Sequence, residues 1–157
     1  MSDKVAVQVR LIDPVPGGEF YDAQRVLRWR VLRMPLGMGP GSEENAHEWT
    51  SDHWVAVAEG KVIGCVLLHA FDDGGLKVGK LMQMVIDTAW QGRGLGRALV
   101  GAVQARAEIL GLQNVVLHAR ETAAGFYERC GYLPEGERFT EVGLPHIRMR
   151  RAVGVAH

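Results

Sequence analysis

Three glycines at alternate positions, with two arginines among them, form the segment whose residue types point most directly to a ligand. The stretch DTAWQGRGLGRALVGAV, residues 87–103, places Gly92, Gly94 and Gly96 before a helix-like apolar pattern, with Arg93 and Arg97 between them. The first N–H groups of a helix have no partner within it and carry a partial positive charge. Glycine lets the backbone approach a ligand closely. The segment therefore predicts a turn that binds phosphate oxygens.

The spacing of these glycines excludes two common nucleotide-binding motifs. A P-loop needs a Lys-Ser/Thr pair after its second glycine, and the segment has none. The dinucleotide motif G-x-G-x-x-G needs a third glycine where this chain has Arg97. What remains is Q-x-x-G-x-G, formed by Gln91, Gly94 and Gly96. A glycine-rich turn between a strand and a helix, without any ligand, is the alternative interpretation.

The same residues resemble the coenzyme-A-binding motif of the GNAT family of N-acetyltransferases. MVIDTAWQGRGLGRALV is similar to the family's strand, short link, Q/R-x-x-G-x-G/A turn and amphipathic helix. ETAAGFYERCGY resembles its A-x-x-F/L-Y-x-x-x-G-F/Y motif through Ala123, Phe126, Tyr127, Gly131 and Tyr132. GERFTEVGLPHIRM resembles the ending of a branch typified by the bacterial protein ElaA. The motifs stand in the family's order, so the resemblance covers nearly the whole chain.

The resemblance implies acetyl-CoA as cosubstrate and no metal ion. In the family, two parallel strands splay apart and acetyl-CoA lies between them; here they would be the strands ending near Ile86 and Ala119. The backbone of Met84, Val85 and Ile86 would pair with the pantetheine arm. The diphosphate would lie on the turn, whose residues are Gln91, Gly92, Arg93, Gly94, Leu95, Gly96 and Arg97.

The resemblance also implies direct attack of an amine on the thioester within a ternary complex. An amine with a pKa of about 10 must first lose a proton, which a carboxylate or an imidazole can accept. Tyr127 matches the family's position for the acid that protonates the leaving sulfur, and packing alone is its alternative role. Glu141, His146 and His118 are the candidates for the base, with purely structural pairing as the alternative.

The acceptor is expected to be a small-molecule or peptide amine of unidentified type. The loop from Pro35 to Asn45 and the tail near Glu141 are expected to shape its pocket. Glutamates of the loop region favour a cationic acceptor unless they are only solvated; they are Glu43, Glu44 and Glu48. The stretch HEWTSDHW, residues 47–54, lacks the H-E-x-x-H spacing and is interpreted as a polar segment that lines the acceptor side or leads, solvated, into a strand. The rival functions are a non-catalytic acyl-CoA-binding module on the same fold and a plain interaction domain.

Length and composition set outer limits on these hypotheses. The chain has 157 residues, which predicts a single domain over residues 1–157. Its net charge of zero argues against nucleic acid as a partner. No segment approaches the ~20 apolar residues of a membrane span or has a secretory signal pattern, so no membrane contact and a cytoplasmic location are expected. Cys65 and Cys130 lack metal-ligand spacing and are interpreted as buried free thiols. A homodimer stays open.

The elements that must position these residues predict an α/β fold. The predicted strands are Val5–Leu11, a hairpin turning at Glu59–Lys61, Leu76–Ile86, the segment NVVLHA, and a last strand near His146–Arg151. The predicted helices are residues 20–34, residues 94–110 and ETAAGFYERCGY. The apolar face of the second helix is predicted as Leu95, Ala98, Leu99, Ala102, Val103 and Ile109. With the resemblance, this order predicts the GNAT fold: a mixed, mostly antiparallel sheet with one splayed parallel pair, flanked by helices.

Overall fold

The chain forms a seven-stranded mixed sheet flanked by helices, in a computed structural model that describes residues 5–154. The strands are β1 Gln8–Ile12, β2 Asp52–Ala58, β3 Lys61–Asp73, β4 Leu76–Ile86, β5 Asn114–Arg120, β6 Leu133–Glu141 and β7 Leu144–Ala152. The helices are α1 Glu19–Leu32, α2 Leu95–Ile109 and α3 Ala124–Arg129, with short 3-10 turns at Met34–Leu36, Thr88–Trp90 and Glu121–Ala123. None of the helices within residues 5–154 is long and apolar enough to cross a membrane.

The strand order of the sheet is β1-β2-β3-β4-β5-β7-β6. β4 and β5 are parallel, with Val78–Leu81 in register with Asn114–Leu117, and the strands themselves continue to Ile86 and Arg120. The other strand pairs with a determined register are antiparallel. The predicted fold class is therefore confirmed, including the parallel pair that follows from the α2 crossover.

Two compact units make up the chain. Unit 1 consists of the residues up to Leu68 together with Gln83–Ala102, and unit 2 of His69–Met82 together with the residues from Val103 onward. β3, β4 and α2 each contribute residues to both units. The single domain over residues 1–157 stays a prediction, and its ends, residues 1–4 and 155–157, lie outside the described residues.

α1 begins with acidic residues and ends before a proline. Glu19 and Asp22 lie in its first turn, where carboxylates stabilise the positive end of a helix. The helix was expected to reach Met34, but it ends at Leu32, because Pro35 disfavours continuation of an α-helix through the residue before it. Met34 and Pro35 instead begin the 3-10 turn Met34–Leu36. Its buried face is half polar, since Gln24 and Arg28 are buried together with Tyr21 and Leu27.

The predicted apolar face of α2 is partly wrong. Ile109 is 75% exposed and Ala98 is also exposed, whereas Val100 and Ala107 are buried. The buried stripe follows Leu95, Leu99, Val103 and Ala107 at intervals of four residues. An isoleucine at the last residue of a helix lies where the chain turns away, and periodicity alone does not reveal this.

The C-terminal hairpin is longer than expected. β6 already begins at Leu133 and runs along the edge of the sheet, with eight of its nine residues exposed. A register shift between Glu135 and Phe139 interrupts its pairing with β7. The exposed pattern has little apolar alternation, which explains why only β7 was predicted.

Candidate functional site

The glycine turn has the backbone geometry that its sequence predicts. Gly92 and Gly94 have φ angles of 79° and 77°, in the left-handed region that strongly favours glycine. A Cβ at either position would meet no atom within 4 Å, so the backbone angle and not crowding requires glycine. The turn residues from Gln91 to Gly94 are exposed, and Gly96 lies in the first turn of α2.

The amides of this turn are available to a ligand. Within residues 5–154, the first amide after Gln91 that donates a hydrogen bond to the backbone is that of Ala98, 3.1 Å from the carbonyl oxygen of Gly94. The amides of residues 92–96 therefore have no backbone acceptor within the described part of the chain, as is usual for the first N–H groups of a helix. The guanidinium of Arg93 lies 4.6 Å from the centre of the Trp90 ring, which holds a positive charge at the same turn.

The link between β4 and the turn is fixed at several points in unit 1. Asp87 accepts hydrogen bonds from the amide of Ala89 at 3.1 Å and from Arg30 Nη2 at 2.7 Å. The hydrogen bond from Arg30 lowers the pKa of Asp87. Gln91 Nε2 donates to the carbonyl oxygen of Ile86 at 3.4 Å. These contacts hold the turn in one orientation at the end of β4.

The end of β4 departs from regular strand geometry at Gln83. Its φ angle is 49°, a value that a non-glycine residue rarely adopts. The Gln83 side chain donates from Nε2 to the carbonyl oxygen of Glu43 at 2.8 Å. Val85 is 2% exposed and packs with Leu27 and Cys65. Of the three residues predicted to pair with the pantetheine arm, Met84 and Ile86 are half-buried, and the pairing stays a prediction.

The two cysteines differ in burial. Cys65 is fully buried, and burial raises the pKa of its thiol to about 12, so the thiol stays protonated and unreactive. Cys130 is half-buried, so the prediction of two buried thiols holds for Cys65 only.

Tyr127 is buried in unit 2, on α3. Its ring packs edge-on against Phe126 and Tyr132, with centroids 5.1 and 5.9 Å away. Burial raises the pKa of its phenol, and the neighbouring Tyr132 and Cys130 raise it further. No hydrogen-bond partner of its hydroxyl lies among residues 5–154. The phenol is therefore protonated at neutral pH and has a proton to give.

The structure brings together the three candidates for the base. Glu141 Oε1 lies 3.0 Å from His118 Nδ1, and Glu141 Oε2 lies 3.6 Å from His146 Nε2. The Phe139 ring contacts both imidazoles, with centroid distances of 4.9 and 5.9 Å. Burial alone would raise the pKa of Glu141, but the hydrogen bond from His118 and the charges of His118, His146 and Lys80 lower it below its usual range.

The hydrogen bonds of this cluster assign the two imidazoles different roles. A carboxylate only accepts, so His118 Nδ1 carries a hydrogen, and Nε2 is the ring nitrogen left to contact a ligand. His146 Nδ1 lies 2.9 Å from the carbonyl oxygen of Leu144 and donates to it. His146 is 4% exposed, while the side chain of His118 is 26% exposed. His118 is thus the ring that can exchange a proton with a ligand.

The acidic loop residues are not available to an acceptor, contrary to the expectation for Glu43 and Glu48. Arg28 binds Glu48 through two hydrogen bonds of 2.7 and 2.8 Å, and both side chains have no exposed surface. Glu43 pairs with Arg25. Burial would raise the pKa of Glu48, but the hydrogen bond from Arg28 lowers it to about 2. The negative charges are therefore neutralised inside the protein.

His53, from the same polar stretch, is also internal. It is 0% exposed, with Nδ1 3.1 Å from Gln24 Oε1 and Nε2 2.7 Å from the carbonyl oxygen of Glu48. Burial lowers its pKa, so the ring stays neutral. The interpretation of Glu48 and His53 as solvated or acceptor-lining residues is wrong. Among residues 5–154, no group of three His, Cys, Asp or Glu side chains could hold a metal ion.

Sequence reasoning missed several charged residues on the sheet face that carries His118. Residues directly opposite in paired strands share a face. In unit 2, His118, Arg148 and Glu135 form one row, and Lys80, Val116 and Arg150 form the next. This "polar face" consists of Lys80, His118, Glu135, Glu141, His146, Arg148 and Arg150. Strand alternation around Lys80, a cation flanked by apolar residues of β4, was the available signal.

Comparisons with known proteins agree with this fold. A candidate acetyltransferase of Bacillus subtilis is 36% identical over 73 residues, 46% of this chain and 50% of its own length. The chain thus spans about half the length of the curated relatives that it matches first. An acyl-CoA N-acyltransferase from Pseudomonas aeruginosa is 26% identical, with a TM-score of 0.75 over 95% of this chain and 100% of that one.

Escherichia coli ElaA is 19% identical, with a TM-score of 0.78 over 93% of this chain and 99% of that one, and shares the fold. The family model of the GNAT acetyltransferase domain matches residues 49–134, more than half of the chain. This match includes the glycine turn and Tyr127. The chain belongs to the GNAT family of acetyltransferases.

Proposed function

We propose that the protein is an N-acetyltransferase that transfers the acetyl group of acetyl-CoA to a primary amine. The observation that carries the proposal is the glycine turn, where Gly92 and Gly94 are left-handed and the amides of residues 92–96 have no backbone partner among residues 5–154. Such a run of amides at a helix start, with Arg93 and Arg97 beside it, fits the diphosphate of coenzyme A. Membership of the GNAT family supports acyl transfer as the reaction.

Bound acetyl-CoA supplies an acetyl thioester, which an amine converts to an amide and free coenzyme A by forming a C–N bond and breaking the C–S bond. The protein must manage the protons. An acceptor ammonium loses two protons on the way to the amide, the sulfur gains one, and one is released.

His118 accepts the first proton in this proposal. In the neutral ring, Nε2 is the nitrogen with the free lone pair, because Glu141 fixes a hydrogen on Nδ1. The carboxylate also stabilises the imidazolium that forms when Nε2 is protonated. His146 Nε2 lies 3.6 Å from the second oxygen of Glu141, and the charge of His146 helps to keep that carboxylate ionised. His118 is thus the base, and Glu141 and His146 act through it.

Tyr127 gives the proton that the sulfur gains. Its raised pKa keeps the phenol protonated before transfer.

Replacing one glycine tests the assignment of the turn. Gly94→Val should weaken coenzyme A binding at least about 100-fold, because a β-branched residue at this φ angle must rearrange the amides. Calorimetric titration measures the affinity, and acetyl-CoA at ~100 times its Kd should stabilise the wild type by about 2.7 kcal/mol. Gly101→Val is the matched control, since Gly101 is an exposed residue within α2.

Thiol release from acetyl-CoA over a panel of amines tests the reaction itself. An N-acetyltransferase releases coenzyme A in an amine-dependent manner. Binding of acetyl-CoA without turnover on any amine would identify an acyl-CoA-binding module instead. Unchanged affinity in Gly94→Val would contradict the turn as the phosphate site.

A further inference from the structure

The polar face carries more positive than negative charge beside His118. Lys80, Arg148 and Arg150 share this face with two carboxylates, Glu135 and Glu141, and the charge of Lys80 helps to lower the pKa of Glu141. Glu135 Oε2 lies 3.2 Å from Arg148 Nε, and Glu135 Oε1 lies 3.1 Å from Arg150 Nε. Within residues 5–154, no carboxylate lies within 4 Å of the Lys80 ammonium. Two carboxylates therefore leave one of the three Lys and Arg charges of the face uncompensated.

The two ion pairs leave donors on both arginines. Both contacts with Glu135 use Nε, so the terminal nitrogens of each guanidinium are not the atoms that Glu135 engages. The side chains of Arg148 and Arg150 are 38% and 28% exposed, and solvent or a ligand can reach them. A guanidinium held through Nε presents a planar pair of N–H groups, which matches carboxylate and phosphate oxygens.

The charges on this face are separated along the strands. Glu141 contacts His118 at 3.0 Å and supplies negative charge where an ammonium must be deprotonated. The row with Lys80 and Arg150 lies two residues further along β5, about 7 Å from the His118 row. The face thus carries negative charge at its Glu141 end, and its positive charge extends from Arg148, opposite His118, to Lys80 and Arg150.

We infer that the acceptor is a primary amine that also carries an anionic group, a carboxylate or a phosphate, which Lys80 binds together with Arg148 and Arg150 while His118 receives the amine proton. The inference rests on the proposed function. The acidic loop does not oppose it, since Glu43 and Glu48 are neutralised by Arg25 and Arg28. Lys80 is the central residue, because no carboxylate of the described residues lies within 4 Å of its ammonium, whereas both arginines are ion-paired with Glu135.

Matched acceptor pairs test the inference with the full chain and acetyl-CoA. The first arm compares L-amino acids having small, apolar and cationic side chains with their methyl esters. The second compares O-phosphoethanolamine with ethanolamine. An ester has the more acidic ammonium and thus more free amine at neutral pH, so faster turnover of the acid reports binding of the carboxylate and not reactivity.

Lys80→Met should lower kcat/KM for the anionic member of the preferred pair about tenfold or more, mainly through KM, and leave the uncharged member unchanged. Lys80→Arg should retain most of the preference. Lys77→Met is the control, an exposed lysine three residues earlier on β4, and should behave as wild type. Circular dichroism and thermal melting establish that each variant is folded.

The outcomes separate this inference from the function on which it rests. A preference for the acids or for the phosphate, lost in Lys80→Met, supports the inference and identifies the anion. Equal turnover within both pairs, or a preference that survives Lys80→Met, overturns it while the acetyltransferase stands. If no amine causes release of thiol, the proposed function fails. Calorimetric titration of the same acceptor pairs into coenzyme A-loaded protein then tests the inference by itself. Lys80-dependent binding of the anionic member supports the inference, and the absence of such binding overturns it.

Discussion

Two groups of side chains in this protein each combine a glutamate with histidine, but their surroundings differ. In unit 1, Glu48 and His53 have no exposed surface, and Glu48 is held by Arg28, by the Tyr21 hydroxyl at 2.7 Å and by the amide of Asn45 at 3.0 Å. In unit 2, the side chain of Glu141 is 44% exposed. It contacts His118, whose Nε2 is left to contact a ligand.

The difference shows that burial and hydrogen-bond saturation, and not residue type, separate a structural group from a reactive one. A polar atom that is hydrogen-bonded to an internal partner cannot bind a substrate. Removing that partner lowers the free energy of unfolding. The half-exposed pair of Glu141 and His118 leaves one ring nitrogen free of internal hydrogen bonds. Replacing either residue should change the free energy of unfolding little, yet the pair can transfer a proton. Mutations at equivalent residues of the two groups should therefore have opposite effects on stability and on rate.

Glu48→Gln should have the largest effect on stability, lowering the free energy of unfolding by about 3–5 kcal/mol, because it leaves the Arg28 guanidinium buried without its counter-charge. Urea denaturation measures the change. Glu44→Gln is the matched control: Glu44 is 52% exposed, 3.5 Å from Arg25, and its loss should cost less than about 1 kcal/mol. A cost below 1 kcal/mol for Glu48→Gln would contradict the structural role.

The same carboxylate should make stability depend on pH. The folded pKa of Glu48 is lowered from its ordinary 4.5 to about 2, so its contribution is complete above pH 4.5 and is lost as pH falls towards 2. The loss amounts to about 3 kcal/mol on the scale of one pKa unit per 1.4 kcal/mol. Wild type and Glu48→Gln should converge in urea midpoint over this range. Parallel curves would show that Glu48 titrates normally in the folded protein.

Glu141→Gln should change the rate instead. We expect kcat/KM to fall about 100-fold, because glutamine keeps the shape but removes the charge that stabilises an imidazolium at His118. The free energy of unfolding should change by less than about 0.5 kcal/mol, as for other half-exposed side chains. Steady-state kinetics and urea denaturation of the same preparation give both values.

Glu137→Gln, an exposed residue of the same strand, is the control and should leave both values unchanged. Loss of stability in Glu141→Gln without loss of rate would make this cluster a structural hairpin contact, like the buried group of unit 1.

Sequence patterns were sufficient for the elements that local chemistry defines. β4 was predicted at its observed bounds, Leu76–Ile86, because apolar residues run between two turn signals. The hairpin between β2 and β3 turns at Glu59 and Gly60, both with positive φ angles, as the short polar turn indicated. The glycine turn was predicted from glycine's own conformational range.

Sequence patterns could not predict contacts between side chains that lie far apart in the chain. Arg28 and Glu48 lie 20 residues apart, and either alone reads as a surface residue. The charges of Arg28 and Glu48 neutralise each other only because α1 packs against the loop that follows it. His118, Glu141 and His146 were each named as candidates, but their mutual contacts depend on the registers of β5, β6 and β7, which periodicity does not determine.

The smallest expected effects come from two tyrosines, Tyr127 in unit 2 and Tyr21 in unit 1. Tyr127→Phe should lower kcat about tenfold and leave the affinity for coenzyme A unchanged. The loss is modest because a thiol with a pKa of about 8.5 can already leave as the thiolate. Single-turnover thiol release and calorimetric titration measure the two quantities. Tyr21→Phe is the control: its hydroxyl binds Glu48 and Arg25, so its loss should cost about 1 kcal/mol of stability and leave kcat unchanged.

The Tyr127 hydroxyl has no hydrogen-bond partner within residues 5–154, so removing it breaks no internal contact. A lower rate in Tyr127→Phe at unchanged stability therefore reports proton donation and not packing. Equal rates in the variant and the wild type would mean that the ring only fills the interior beside Phe126 and Tyr132, and that the sulfur leaves without a proton from this side chain.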